Sequence, residues 1–78
     1  VEQAENHLAD LGFTQYRVRH HGEIARIEVA PEERSKFFSE KIMDNISDKF
    51  KALGFIYVTL ELSGYKMGSM NEILKRKE

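Results

Sequence analysis

The sequence predicts an α+β domain in the order α-β-β-α-β: a three-stranded, largely antiparallel sheet with two helices packed on one face. Three observations lead there. Apolar residues recur at helical spacing in two separate stretches, residues 4–11 and 38–53. Two runs of alternating apolar and polar residues flank the dipeptide His21-Gly22. Each helical stretch also ends in the same tripeptide, Leu11-Gly12-Phe13 and Leu53-Gly54-Phe55.

The first helix rests on Ala4, Leu8 and Leu11, which form one stripe at i, i+4 and i+7. Gly12 suits a left-handed cap, and Phe13 can fold back on the last turn. The runs 15–20 and 23–29 then read as a β-hairpin about His21-Gly22. Pro31 ends the second strand because it cannot donate to a sheet interior. With Glu32 and Glu33 it also opens a helical turn, where a missing donor is harmless and acids favour the N-terminus. Phe38, Ile42, Ile46, Phe50 and Leu53 continue at spacings of four and three. A break at Ser39-Glu40 divides this pattern into a short turn, 31–38, and a longer helix, 40–53. Residues 55–62 are rich in β-branched and aromatic side chains and predict the third strand. The expected organisation is a compact domain over 1–62 and a mobile C-terminal tail over 63–78, the tail lacking any clear period.

Composition narrows the function classes. A chain of 78 residues is one small domain. Its 41% hydrophobic and 32% charged content is that of an ordinary soluble domain rather than a disordered one. No apolar run nears the roughly 20 residues that cross a bilayer, and the N-terminal residues carry no signal pattern. There is no Cys, so neither a disulfide nor a thiolate metal site can form within the chain, which fits a cytoplasmic origin. A net charge of -1 provides no global attraction for nucleic acid or membrane, so any anion site must be local. The chain begins at Val1, without Met, inside a helical pattern, and is expected to be a segment of a longer protein.

The local signal is the hairpin. A two-residue turn at His21-Gly22 pairs Arg17 with Arg26 and Tyr16 with Ile27. Tyr16, Val18, Ala25, Ile27 and Val29 then share the helix-facing side, joined by Ile56, Val58 and Leu60. Arg17, Arg19, Arg26, Glu28 and Ile24 share the other, with Tyr57, Thr59 and Glu61 as neighbours. The third strand returns parallel to the second through a right-handed crossover and is placed beside the first, in the order 2-1-3. Arg17 opposite Arg26 is a like-charge pair that an anion or Glu28 would relieve. Two readings of this face stand: a solvated surface balanced by Glu28 and Glu61, or a site for an anion or a partner, since arginine offers a planar fork suited to phosphate and carboxylate. His20 and His21 resemble half a metal site, but neighbours on a strand point to opposite faces, so solvated turn residues are the default and no metal is expected. Glu5 and His7 read most simply as surface residues of the first helix. No nucleophile–base pairing, Gly-rich phosphate loop or zinc spacing is present, so no catalytic residue is expected in this segment.

Three ordered blocks carry a resemblance: residues 16–29, from Tyr16-Arg17-Val18-Arg19 to Ala25-Arg26-Ile27-Glu28-Val29; residues 51–60, Lys-Ala-Leu-Gly-Phe-Ile-Tyr-Val-Thr-Leu; and residues 64–71, Gly-Tyr-Lys-Met-Gly-Ser-Met-Asn. Over nearly the whole chain they resemble the C-terminal part of the ATP-dependent sacrificial sulfur transferases. These are PP-loop ATP pyrophosphatases related to the enzyme that builds the nickel-pincer cofactor of lactate racemase. The resemblance implies a parent whose N-terminal PP-loop domain uses ATP and Mg to adenylate a carboxylate, after which sulfur is delivered from a protein cysteine or, in some branches, by way of an iron–sulfur cluster. It implies a homo-oligomeric parent and a phosphate-bearing small-molecule substrate. No cofactor is expected in the segment itself. Among its residues the resemblance assigns Arg17, Arg19 and Lys66 to anion binding, with Glu28 and Glu5 in support. Lys66 stands where the family has Gly-Tyr-Arg, keeping the charge and losing the bidentate fork.

The expected function is therefore an accessory domain that presents an arginine-lined surface to an active site whose PP-loop lies elsewhere. The alternatives are a small RNA-binding module and an oligomerisation or docking domain without catalytic residues. Against RNA stand the absence of a Gly-x-x-Gly loop, the near-zero net charge and the lack of an aromatic pair on the polar face beyond Tyr57.

Overall fold

The computed structural model describes residues 1–65. Helix α1 spans Glu2–Asp10 and α2 spans Glu40–Ala52, with a 3-10 helix at Pro31–Phe37 between sheet and α2. The strands are β1, Tyr16–His21; β2, Ile24–Val29; and β3, Tyr57–Leu60. Class and element order are those predicted. The sheet is mixed: β1 and β2 are antiparallel, β2 and β3 parallel.

Both helix stops are hydrogen-bonded caps of one kind. Gly12 N–H donates to the Ala9 carbonyl and Phe13 N–H to that of Leu8; Gly54 and Phe55 repeat this on Lys51 and Phe50. The caps turn both phenylalanines inward, and Phe55 meets Phe50 at a ring separation of 6.1 Å. With Ala4, Leu8, Val18, Ala25, Ile27, Val29, Phe37 and Ile46 they form one core between the helices and one sheet face. Ser39 caps α2 by accepting the Ile42 N–H, which explains the break at 39. Two core assignments are corrected. Phe38 lies before the cap and is 83% exposed, and Ile56, ahead of β3, is 50% exposed.

The hairpin turn is Gly22-Glu23, not His21-Gly22. His21 pairs with Ile24, Arg19 with Arg26, Val18 with Ile27 and Arg17 with Glu28. The cause is turn chemistry. Gly22 has φ 60° and no other residue of the turn has positive φ, as fits a type II′ turn with glycine in the first central position. Placing Gly22 second in a type I′ turn would also force His21 to positive φ. The shift is two residues, an even number, so every side chain keeps its face while its partner changes. The like-charge pair is therefore Arg19–Arg26 rather than Arg17–Arg26.

Strand order is also corrected, from 2-1-3 to β1-β2-β3. The outer edge of β1 is already met by α1: the Glu5 carboxylate accepts the Val18 N–H at 3.0 Å. The free edge of β2 receives β3 instead, with Ile56 and Tyr57 N–H donating to Glu23 and Glu61 N–H to Ile27. The chain then returns along the end of β2, where Tyr65 N–H donates to the Val29 carbonyl. Gly64 permits this approach: a side chain there would place its Cβ 2.7 Å from the Val29 oxygen. The predicted tail from residue 66 onward lies outside the described residues.

Candidate functional site

The sheet face turned away from the helices is a grid three strands wide. One row is Arg17–Glu28, the next Arg19–Arg26–Thr59, and the last His21–Ile24–Tyr57. Alternation along each strand puts these side chains on one side, as the period of two requires. Tyr57 and Thr59 are thus neighbours of the arginines, as expected from the sequence. Ile24 and Tyr57 are exposed beside them.

Glu28 is the centre of the charge arrangement. Its side chain is only 11% exposed, and each carboxylate oxygen holds a different guanidinium: Oε1 lies 3.3 Å from Arg19 Nε, and Oε2 lies 3.1 Å from Arg26 Nη2. One buried carboxylate thereby separates two arginines that face each other across the ladder, where like charges would otherwise repel. Arg17 lies opposite Glu28 in register, yet its guanidinium sits over the Tyr65 ring, 5.7 Å from the centroid. Thr59 is exposed, and its Oγ1 donates to the Ala25 carbonyl at 3.1 Å. The face carries three guanidinium groups and the buried Glu28 carboxylate, with Glu61 just past β3 accepting the Ser63 N–H, and the terminal nitrogens of Arg17 and Arg19 have no hydrogen-bond partner among the described residues.

A second carboxylate sets where β1 begins. Glu33, in the 3-10 helix, is 6% exposed. It accepts the Thr14 N–H and hydroxyl, the Gln15 N–H and the Lys36 ammonium, at 2.9–3.3 Å. Burial pushes its carboxyl up, but the Gln15 N–H, then Lys36 and the two Thr14 donors outweigh this and lower it from 4.5 to about 2. An anionic clamp thus fixes the residues directly before Tyr16, and with them the approach of Arg17 and Arg19.

Of the site residues expected from sequence, Arg17, Arg19 and Glu28 come together on this face. Glu5 does not join them; it sits at the outer edge of β1, bonded to the backbone of Val18, between the two arginines in sequence. Lys66 lies outside the described residues. Two contributors went unnoticed in the sequence. Tyr65 adjoins Lys66 in the Gly-Tyr-Lys block, but nothing in residue spacing puts it under Arg17. Glu33 reads from sequence as a helix-dipole acid, and its second role depends on a loop 18 residues away. The histidines separate as strand geometry demands: His20 packs edge-on against Phe55 at 5.6 Å, beside a groove of 530 Å³ that it lines with Glu23 and Leu53. No group of three or more His, Asp or Glu among the described residues is placed to hold a metal ion. No helix among them is long and apolar enough to cross a membrane.

No family model matches the chain. It is 44% identical over 78 residues, its full length, to pyridinium-3,5-bisthiocarboxylic acid mononucleotide synthase of Lactiplantibacillus plantarum. The chain is homologous to a segment of that synthase. It is also 40% identical over 76 residues, 97% of its length, to an uncharacterized protein of Synechocystis sp.. In both cases it spans 28% of the relative's length.

Proposed function

We propose that this chain is an accessory domain of an ATP-dependent sulfur transferase acting in cofactor biosynthesis, and that its arginine face binds the phosphate or carboxylate of the substrate. The observation that carries this reading is the state of Arg17 and Arg19. Each is held from beneath, by the Tyr65 ring and by Glu28, with terminal donors that meet no partner among the described residues. An arginine presented in this way matches the paired oxygens of an oxyanion. The 44% identity to a synthase whose name specifies a mononucleotide supports the same class of ligand.

In this reading Arg17 and Arg19 bind and orient; they transfer no proton and form no bond. Arginine remains protonated throughout the physiological range, so the face offers fixed positive charge to a substrate anion. Adenylation with ATP and Mg is assigned to a PP-loop domain in the longer protein, because the chain itself has no Gly-rich phosphate loop and no nucleophile–base pair. Contact with that domain has a suitable surface. Phe38 and Leu62 are 83% and 76% exposed and line one groove with Pro31, Arg34 and Leu60. Exposed apolar side chains that adjoin in one groove support an interaction surface there. The sulfur source in this reading, a cysteine or an iron–sulfur cluster, is assigned to the longer protein, and Lys66 as a further cation lies outside the described residues.

The test uses the longer protein. An Arg17→Ala, Arg19→Ala double variant is expected to lose sulfur transfer and phosphate binding while its adenylation half-reaction persists. Normal sulfur transfer by a folded double variant would overturn the proposal.

A further inference from the structure

We propose that Arg26 acts through Glu28 as a positioning residue for Arg19, gripping that guanidinium at Nε so that its two terminal nitrogens face an incoming anion. The inference rests on the anion-binding reading above and assigns a role to a third arginine that would otherwise be scaffold.

Four observations lead to it. Both oxygens of Glu28 are committed, one to Arg19 Nε and one to Arg26 Nη2, so neither guanidinium can be withdrawn without leaving a carboxylate oxygen of a buried side chain unpaired. Arg19 is held at Nε, the inner donor, and its Nη1–Nη2 edge meets no partner among the described residues. Arg26 is oriented the other way. Its Nη2 points to Glu28, and its Nε is buried without a hydrogen-bond partner among the described residues. A buried orphan donor on a cation is costly, and a residue serving only to add surface charge would not carry one. Finally, Arg17 is the ladder partner of Glu28 but turns to Tyr65, which leaves the carboxylate to the Arg19–Arg26 pair.

The alternative is that Glu28 and Arg26 only tune the local potential, and the two ideas differ in sign. If charge alone matters, removing the Glu28 carboxylate should tighten anion binding roughly two- to threefold, from Coulomb's law at about 7 Å in water. If Glu28 orients Arg19, removing it should weaken binding despite the more favourable charge. Arg26→Lys separates the same ideas a second way, since it keeps the charge and removes the planar fork.

The experiment titrates the 78-residue chain with inorganic phosphate at low ionic strength, following the Arg19 Nε–Hε resonance by ¹⁵N NMR and checking fold by circular dichroism. The wild-type chain is expected to bind, with the Arg19 Hε protected from exchange. Glu28→Gln and Arg26→Lys are each expected to weaken binding about five- to tenfold, in line with loss of a charge-assisted bidentate contact, and to abolish the Hε protection. In an Arg19→Ala background Glu28→Gln should instead leave binding unchanged or tighter. Tighter binding by Glu28→Gln in the wild-type background would overturn the positioning role. So would wild-type affinity and an unaltered Arg19 signal in Arg26→Lys, which is the variant to rely on if Glu28→Gln does not fold. No phosphate binding by the wild-type chain would refute the anion reading itself, a result distinguishable from failure of the relay because the Hε protection is read without ligand.

Discussion

Glu33→Gln should remove a large share of this domain's stability at neutral pH and flatten its acid response. The carboxyl titrates near 2 in the folded chain against 4.5 ordinarily, a separation of about 4.5 − 2 = 2.5 pH units. At 1.36 kcal/mol per unit that is about 3 kcal/mol. The folded pKa is depressed, so the contribution is complete above pH 4.5 and disappears as pH falls through about 2. Total stability for 78 residues is on the order of 4–12 kcal/mol, so the clamp is a substantial fraction of it. Gln is nearly isosteric, but it loses the charge that attracts Lys36 and turns one acceptor into a donor facing the Thr14 and Gln15 N–H groups. Urea unfolding of both proteins from pH 7 to pH 2.5 tests this. The wild-type midpoint should fall steeply below pH 4.5, and the difference between the two proteins should narrow there, because unfolding then lets Glu33 take up a proton that the folded clamp refuses. A Glu33→Gln variant that matches the wild type at pH 7, or that shows the same acid slope, would refute the reasoning. Every other carboxylate is common to both proteins, so the comparison at each pH isolates Glu33.

Gly64→Ala should cost at least about 1–2 kcal/mol, since φ is 87° and the new Cβ would sit 2.7 Å from the Val29 oxygen. It should also shift the Tyr65 ring, visible as a changed Arg17 Cζ resonance. Glu5→Ala should cost about 1–2 kcal/mol by leaving the Val18 N–H without its acceptor, and hydrogen exchange at Val18 should accelerate in step. Phe38→Ser should leave thermal stability of the isolated chain within about 0.5 kcal/mol of wild type, because an 83% exposed ring contributes little to the core. The same change in the longer protein should weaken contact between domains, read as faster proteolysis there.

Local chemistry was legible in the residues alone. The two Gly-Phe caps, the stripe of Ile42, Ile46 and Phe50, and the sorting of Arg17, Arg19 and Arg26 onto one face follow from periods of 3.6 and 2 and from neighbours in the chain. Even a wrong turn left the face intact, because the error was an even number of residues. What the sequence could not determine was which arginine meets which partner. Gly22 can occupy either central position of a tight turn, and choosing the first moved the repulsive pair from Arg17 to Arg19. Strand order was decided by a contact between helix and sheet: Glu5 occupies the β1 edge that the order 2-1-3 requires for β3. Phe38 obeys the helical spacing but falls one residue before the Ser39 cap, so periodicity alone placed it in a core it does not enter. The two anchors of the arginines, Tyr65 beneath Arg17 and Glu33 before β1, join residues far apart in the chain. Pattern and capping are written within a few residues of one another. Pairing, edge coverage and the support of the arginine face arise only when distant segments close on the same core.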